Sequence, residues 1–174
     1  MGCKPHSIQH CHATFLLLMA VDERFGKEQI ILLVEDDPED AEIIRIASER
    51  LDSLHCRVIP INDGRQAMHY LAGIGQYGNR NEFPFPTLIL LDLTLPQMNG
   101  FDFLAWLHGE TGKMPPVAVL SYSRLESDKH LAKKLGAKEY CVKSADLNET
   151  VVMLKNLINA AWLSPPPEGT GLQG

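Results

Sequence analysis

Three adjacent acids, Glu35, Asp36 and Asp37, follow the apolar run at 30–34. Asp92 follows the run at 88–91, Ser121 the run at 117–120, and Lys143 the run at 140–142. Brought together, the acids would make a hard oxygen site of the kind Mg²⁺ prefers, with room in its shell for water and a phosphoryl oxygen. Without a cation such carboxylates repel one another. An Asp beside the metal stays ionised and is able to attack phosphorus, as in enzymes that pass through an aspartyl phosphate. A metal and a lysine would neutralise charge on the transferring group, and the Ser121 hydroxyl would bind one of its oxygens.

Each residue also has a plainer reading. Asp37 before Pro38 is a helix cap with proline at the first helical position. A single strand-end acid such as Asp92 is commonly a turn residue, a lone lysine such as Lys143 is commonly solvated, and Ser121 by itself carries little weight. The reading rests on four strand ends agreeing.

Continuous apolar runs of this length fit strands buried on both faces of a parallel sheet, where ligands bind beyond the carboxyl ends. Helix signals fall between them. After Asp37-Pro38, Ile44, Ala47 and Leu51 recur at helical spacing. A second strand is expected at 56–60, then a helix to about Leu71 with Ala67, Met68 and Leu71 inward. The segment 73–86, rich in Gly, Asn and Pro, exceeds the common connection length and reads either as a contact loop or as a loosely ordered one. A helix at 100–107 places Phe101, Leu104 and Leu107 in register. Ser127 is expected to cap a helix ending at Gly136. Asp146 is expected to cap a last helix through about Trp162, with the stripe Leu147, Val151, Leu154, Ile158 and Ala161 inward. Met153, Leu157 and Trp162 lie off that stripe, and read equally as a homodimer patch or as further core. Five β–α units with right-handed crossovers predict an α/β, flavodoxin-like, doubly wound five-stranded parallel sheet in the order 2-1-3-4-5, as a single domain. Its switch point lies between the first and third strands, where Glu35, Asp36 and Asp92 would meet.

At 174 residues with 45% hydrophobic content, the chain suits one domain with tails. A net charge of −6 argues against direct nucleic-acid binding, and Lys129, His130, Lys133 and Lys134 read as a solvated helix face. Cys3, Cys11, Cys56 and Cys141 form no disulfide framework, which points to a reducing cytoplasm. The apolar stretch at 15–21 is too short to span a bilayer. Residues 1–28 read as an N-terminal extension, with Met19 an alternative start and His6, His10, Cys11 and His12 an unstructured tail rather than a metal site. Residues 162–174, with three consecutive prolines at 165–167, read as a C-terminal tail.

Five motifs carry a family likeness: Val34-Glu35-Asp36-Asp37-Pro38; Leu91-Asp92-Leu93-Thr94-Leu95-Pro96 with Asn99-Gly100; Leu120-Ser121; Gly136-Ala137; and Tyr140 three residues before Lys143. Over about residues 29–161 the chain resembles the receiver domain of bacterial two-component response regulators. The resemblance implies that Asp92 is the phosphoacceptor and that Mg²⁺ is held by Asp36 directly, by Glu35 mainly through water, by Asp92 and by the backbone carbonyl of Thr94. It further implies that Ser121 is the switch hydroxyl, Tyr140 the switch aromatic, and Lys143 the partner of the phosphoaspartate. It implies a phosphoacceptor switch rather than an enzyme, with at most self-catalysed phosphorylation and dephosphorylation. The phosphoryl group would come from a sensor histidine kinase, and output would pass to a downstream protein or phosphotransfer partner, with no membrane involvement. The long segment before the third strand makes the chain most similar to single-domain regulators paired with phytochrome kinases.

Two positions depart from the family pattern. Ser144 stands where a proline usually follows the lysine. A cis bond before a non-proline residue costs roughly 3–4 kcal/mol, so a trans bond and a displaced Lys143 are expected. Tyr122 stands where the residue after the switch hydroxyl is usually small, and is expected to shield Asp92 from small phosphodonors and water. The alternative of a Mg²⁺-dependent phosphohydrolase with Asp92 as nucleophile is disfavoured by Thr94, which stands where such enzymes commonly carry a second acid. A flavin carrier is excluded because three acids follow the first strand where a phosphate loop would be needed.

Overall fold

The computed structural model describes residues 28–51, 54–112 and 114–163. The expectations for the tails, for Cys3 and Cys11, and for the Trp162 side chain fall outside what is described. The elements run β1 (Gln29–Val34), α1 (Pro38–Glu49), β2 (Cys56–Ile61), α2 (Gly64–Ala72), a short 3-10 turn (Gly75–Gly78), β3 (Leu88–Asp92), α3 (Gly100–Gly109), β4 (Val117–Ser121), α4 (Glu126–Lys134), β5 (Glu139–Val142) and α5 (Leu147–Leu163). The strands form one parallel sheet in the order β2-β1-β3-β4-β5. This is the expected flavodoxin-like arrangement.

Alternation along the three central strands fills both faces. Leu32, Val34, Ile89, Leu91 and Val119 pack with α2 and α3 through Ala67, Tyr70, Phe103 and Leu104. Ile31, Leu33, Leu90, Ala118 and Leu120 pack with α1 and α5 through Ile44, Ala47, Leu154 and Ile158. Burying each large aliphatic side chain stabilises by about 1.5–3 kcal/mol relative to leaving it exposed, and the runs supply one such residue to each face in turn. The helices start where polar caps stop the strands. Asp37 accepts from the N–H groups of Glu39 and Asp40, Asn99 from Phe101 and Asp102, and Asp146 from Asn148 and Glu149.

Two expectations change, and the open alternative for Leu157 and Met153 closes on the core. Ser127 lies inside α4 and does not cap it. Leu125 occupies the cap position without a side-chain bond, and the Ser123 hydroxyl takes over locally. It accepts from Leu125 N–H at 3.3 Å and donates to Asp128 at 2.5 Å, tying the entry of α4 to its own first turn. Leu157 is core against β3, β4 and the rest of α5, and Met153 packs on its edge. In α3 it is Phe103 that is fully buried, with Phe101 only partly so.

Segment 73–86 is a built element. The rings of Tyr70, Tyr77 and Phe83 meet at 5.2–6.1 Å in tilted and edge-on pairs. Arg80 donates to the carbonyls of Tyr70, Leu71 and Phe83, and the Tyr70 hydroxyl donates to Pro84 O at 2.7 Å.

Candidate phosphoacceptor site

Parallel pairing of β1 with β3 and of β3 with β4 brings the ends of the three central strands to one edge, with Val34 beside Leu91 and Asp92 beside Leu120. Glu35 and Asp36 leave the end of β1, Asp92 closes β3, and Ser121 closes β4. One carboxylate oxygen from each of Glu35, Asp36 and Asp92 lies within 4.8 Å of the others. Glu35 and Asp92 are buried and Asp36 is exposed. Three hard oxygen donors at this spacing, one open to solvent, fit a small divalent cation that keeps water in its shell.

Backbone and lysine donors hold the buried acids. Glu35 accepts from Asp37 N–H at 3.2 Å through one oxygen and from the Lys143 ammonium at 2.7 Å through the other. Asp92 accepts from Thr94 N–H at 3.0 Å, and its second oxygen lies 3.2 Å from Lys143 Nζ. Burial pushes Glu35 up to about 7, against the pull of Lys143. Burial works to lower the Lys143 ammonium, but its hydrogen bonds to Asp40 and Glu35 outweigh that and hold it above its usual value. The lysine is a charged donor throughout the physiological range.

Asp40, in the first turn of α1, is a fourth acid of this site that the sequence motifs do not single out. It accepts from Lys143 Nζ at 2.8 Å. It lies three residues after the Asp37 cap, and that position ties it to the end of β1. Tyr122 joins it: the phenol donates to Asp40 at 2.7 Å, and Lys143 Nζ lies 5.2 Å from the ring centroid. Burial would raise the Asp40 carboxyl, but hydrogen bonds from Lys143 and Tyr122 lower it.

No peptide bond among the described residues is cis, so the Lys143–Ser144 bond is trans as expected. Lys143 still reaches Asp92, because a hydroxyl network organises the turn. Ser144 donates to Glu149 at 2.7 Å and accepts from Asp146 N–H at 3.1 Å. Thr150 donates to the carbonyls of Ser144 and Asp146, and Lys143 N–H donates to Ser121 O at 2.9 Å.

Ser121 and Tyr140 meet through a third residue. Ser121 Oγ accepts from Ser123 N–H at 3.1 Å, and the Tyr140 hydroxyl donates to Ser123 O at 3.0 Å. Ser121 is buried and Tyr140 half-buried. Thr94 reaches the site through its N–H.

The sequence profile of the response regulator receiver domain matches residues 31–155. Response regulator Rcp1 of Synechocystis is 34% identical over 136 residues, spanning 78% of this chain and 89% of that one. The solved Mn²⁺-bound form of Rcp1 superposes with a TM-score of 0.66 at 31% identity, covering 80% of this chain and 99% of that one. The phosphorylated cyanobacterial phytochrome response regulator RcpA gives 0.69 at 35% identity, covering 82% and 100%. The bacteriophytochrome response regulator AtBRR gives 0.61 at 34%, covering 76% and 94%. These likenesses favour a phosphoacceptor over a phosphohydrolase.

Proposed function

Since this chain belongs to the response regulator receiver domain family, we propose that it takes a phosphoryl group onto Asp92 from the histidine of a phytochrome-type sensor kinase and signals through protein contacts. The observation that carries this is the Lys143 ammonium on Asp92 and Glu35, beside three carboxylates within 4.8 Å of one another. Asp36, Glu35, Asp92 and the Thr94 carbonyl would hold Mg²⁺. When bound, the ion supplies positive charge against the oxygens of the phosphoryl group.

In the transfer, an Asp92 oxygen forms the new bond to phosphorus as the histidine N–P bond breaks. The imidazole leaves with that electron pair and takes a proton from solvent. Thr94 N–H and Lys143 orient the attacking carboxylate. The Ser121 hydroxyl then turns to a phosphoryl oxygen, and Tyr140 follows through Ser123. Loss of the group by attack of water would be self-catalysed at the same residues. The downstream partner is a protein or a phosphotransfer domain, the acidic surface disfavours nucleic acid, and the setting is the cytoplasm. No helix among the described residues is long and apolar enough to cross a membrane.

The test is phosphotransfer from an autophosphorylated phytochrome histidine kinase to the wild type and to Asp92→Asn. The wild type takes up label in Mg²⁺ and the variant takes up none. Equal labelling of both would sink the assignment.

A further inference from the structure

The Lys143 ammonium has three N–H donors and faces three carboxylates, at 2.7 Å from Glu35, 2.8 Å from Asp40 and 3.2 Å from Asp92. Its weakest contact is with Asp92, the residue it would have to serve. Glu35 and Asp92 belong to the acid cluster. Asp40 does not: it projects from the first turn of α1, and its other oxygen accepts the Tyr122 hydroxyl at 2.7 Å. The Tyr122 ring, 62% exposed, stands beside the ammonium rather than being packed in the core. Residues from three elements, 40 on α1, 122 after β4 and 143 after β5, thus close one chain of contacts across the mouth of the site.

We propose that Asp40 and Tyr122 form a latch that parks Lys143 toward α1, and that Asp40 is a positioning residue for phosphoryl transfer at Asp92. The proposal rests on the reading of Asp92 as phosphoacceptor. An arriving phosphoryl group brings negative charge and strong acceptor oxygens, and Lys143 must give it a donor. Asp40 is the contact to surrender, since Glu35 is needed in the acid cluster and Asp92 carries the group. Surrender of Asp40 leaves its carboxylate with the Tyr122 hydroxyl alone, so occupancy of Asp92 breaks the chain of contacts that joins Lys143 to the ring at the surface. The latch slows uptake from donors that bring no protein surface of their own to displace it.

The experiment measures phosphorylation by an acyl phosphate, acetyl phosphate, in Mg²⁺, followed by intact-protein mass spectrometry. In this reaction an Asp92 oxygen bonds to phosphorus as the P–O bond to the acyl group breaks, and acetate leaves with the electron pair. Asp40→Asn should speed uptake about threefold to tenfold, the range expected for one charge-assisted hydrogen bond at a partly open site. Tyr122→Phe, which keeps the ring and alters an exposed position, should speed it less. The double variant should match Asp40→Asn, because the hydroxyl acts through Asp40, and Asp40→Glu should restore slow uptake. A residue with only a structural role would lower the rate when lost. Unchanged or slower uptake in both single variants, or additive effects in the double variant, would overturn the latch. Asp92→Asn separates the two ideas: if it still labels, the phosphoacceptor reading fails, and if it does not label while Asp40→Asn behaves as wild type, the latch alone fails.

Discussion

Asp36 and Glu35 differ in environment, and that difference sets different expectations for their loss. Asp36 is exposed and holds no strand in place, so under the proposed function its carboxylate would serve the cation at little structural cost. Glu35 is buried and tied to both Asp37 N–H and Lys143. Asp36→Asn should abolish the Mg²⁺-induced rise in thermal midpoint while leaving the midpoint in chelator unchanged. Glu35→Gln should weaken the Mg²⁺ response and also lower the midpoint in chelator, because Lys143 loses a charged partner. Differential scanning fluorimetry with and without Mg²⁺ decides it, and an undiminished Mg²⁺ shift in both variants would count against the metal assignment. Cys141 on β5 gives a second residue-scale expectation. Burial, with the charge of Glu139, pushes its thiol up from 9.0 to about 11. A folded value above the unfolded one makes a contribution to stability that is whole below pH 9 and lost as pH rises through 11. Because the thiolate is the reactive form, alkylation of Cys141 in the native protein at pH 8 should be slow and should accelerate on adding urea. Rapid native labelling, read by mass spectrometry, would contradict this.

At the scale of elements, much was legible in the sequence because local signals and tertiary structure agree. Each central strand is a continuous apolar run ended by the polar residue that becomes part of the site, and Asp37 and Asp146 mark helix starts through their own side chains. Contacts that join residues far apart in the chain were not legible. Nothing near Asp40 in sequence announces Tyr122 or Lys143, which lie 82 and 103 positions away. The local pattern points to Ser127 as a cap, whereas Ser123, bound to both the α4 entry and Asp128, holds that turn. The segment 73–86 read as equally contact loop or loose loop because Arg80 gives no sign in one dimension that its guanidinium closes on three carbonyls. Arg80→Ala leaves those partly buried acceptors short of a donor and should cost about 1–3 kcal/mol, seen as a lower urea midpoint and faster proteolysis within 73–86. The loop from β3 into α3 leaves no room for a side chain at Gly100. A Cβ on Gly100 would sit 2.4 Å from Asp92 O and 2.7 Å from Leu93 Cα, both backbone atoms that position Asp92. Gly100→Ala should therefore destabilise by about 3 kcal/mol, at the upper end for forced overpacking, and depress phosphorylation along with stability in equilibrium unfolding.

Across the whole molecule, the sheet separates two cores. Helices α2 and α3 pack on one face and α1 and α5 on the other, so a change at the strand ends is carried laterally along the edge more easily than through the sheet. The lateral route is short. Ser123 bonds to Ser121 through its N–H, to Tyr140 through its carbonyl and to Asp128 through its hydroxyl. Under the proposed function, movement of the Ser121 hydroxyl toward a phosphoryl oxygen would loosen that junction, and with it the entry of α4 and the end of β5. Phosphorylation should therefore change amide exchange at 121–128 and 139–143 more than in α2 or the segment 73–86, which, among the described residues, share no hydrogen bond with the junction. Tyr140→Phe removes the bond to Ser123 O without changing ring volume. It should raise exchange of 122–125 in the resting protein and shrink the difference that phosphorylation makes there, with labelling of Asp92 preserved. Hydrogen–deuterium exchange of wild type and variant, each with and without acetyl phosphate, measures both effects. An undiminished phosphorylation response at 122–125 in the variant would mean that Tyr140 does not carry the signal and that Ser121 acts on α4 by another path.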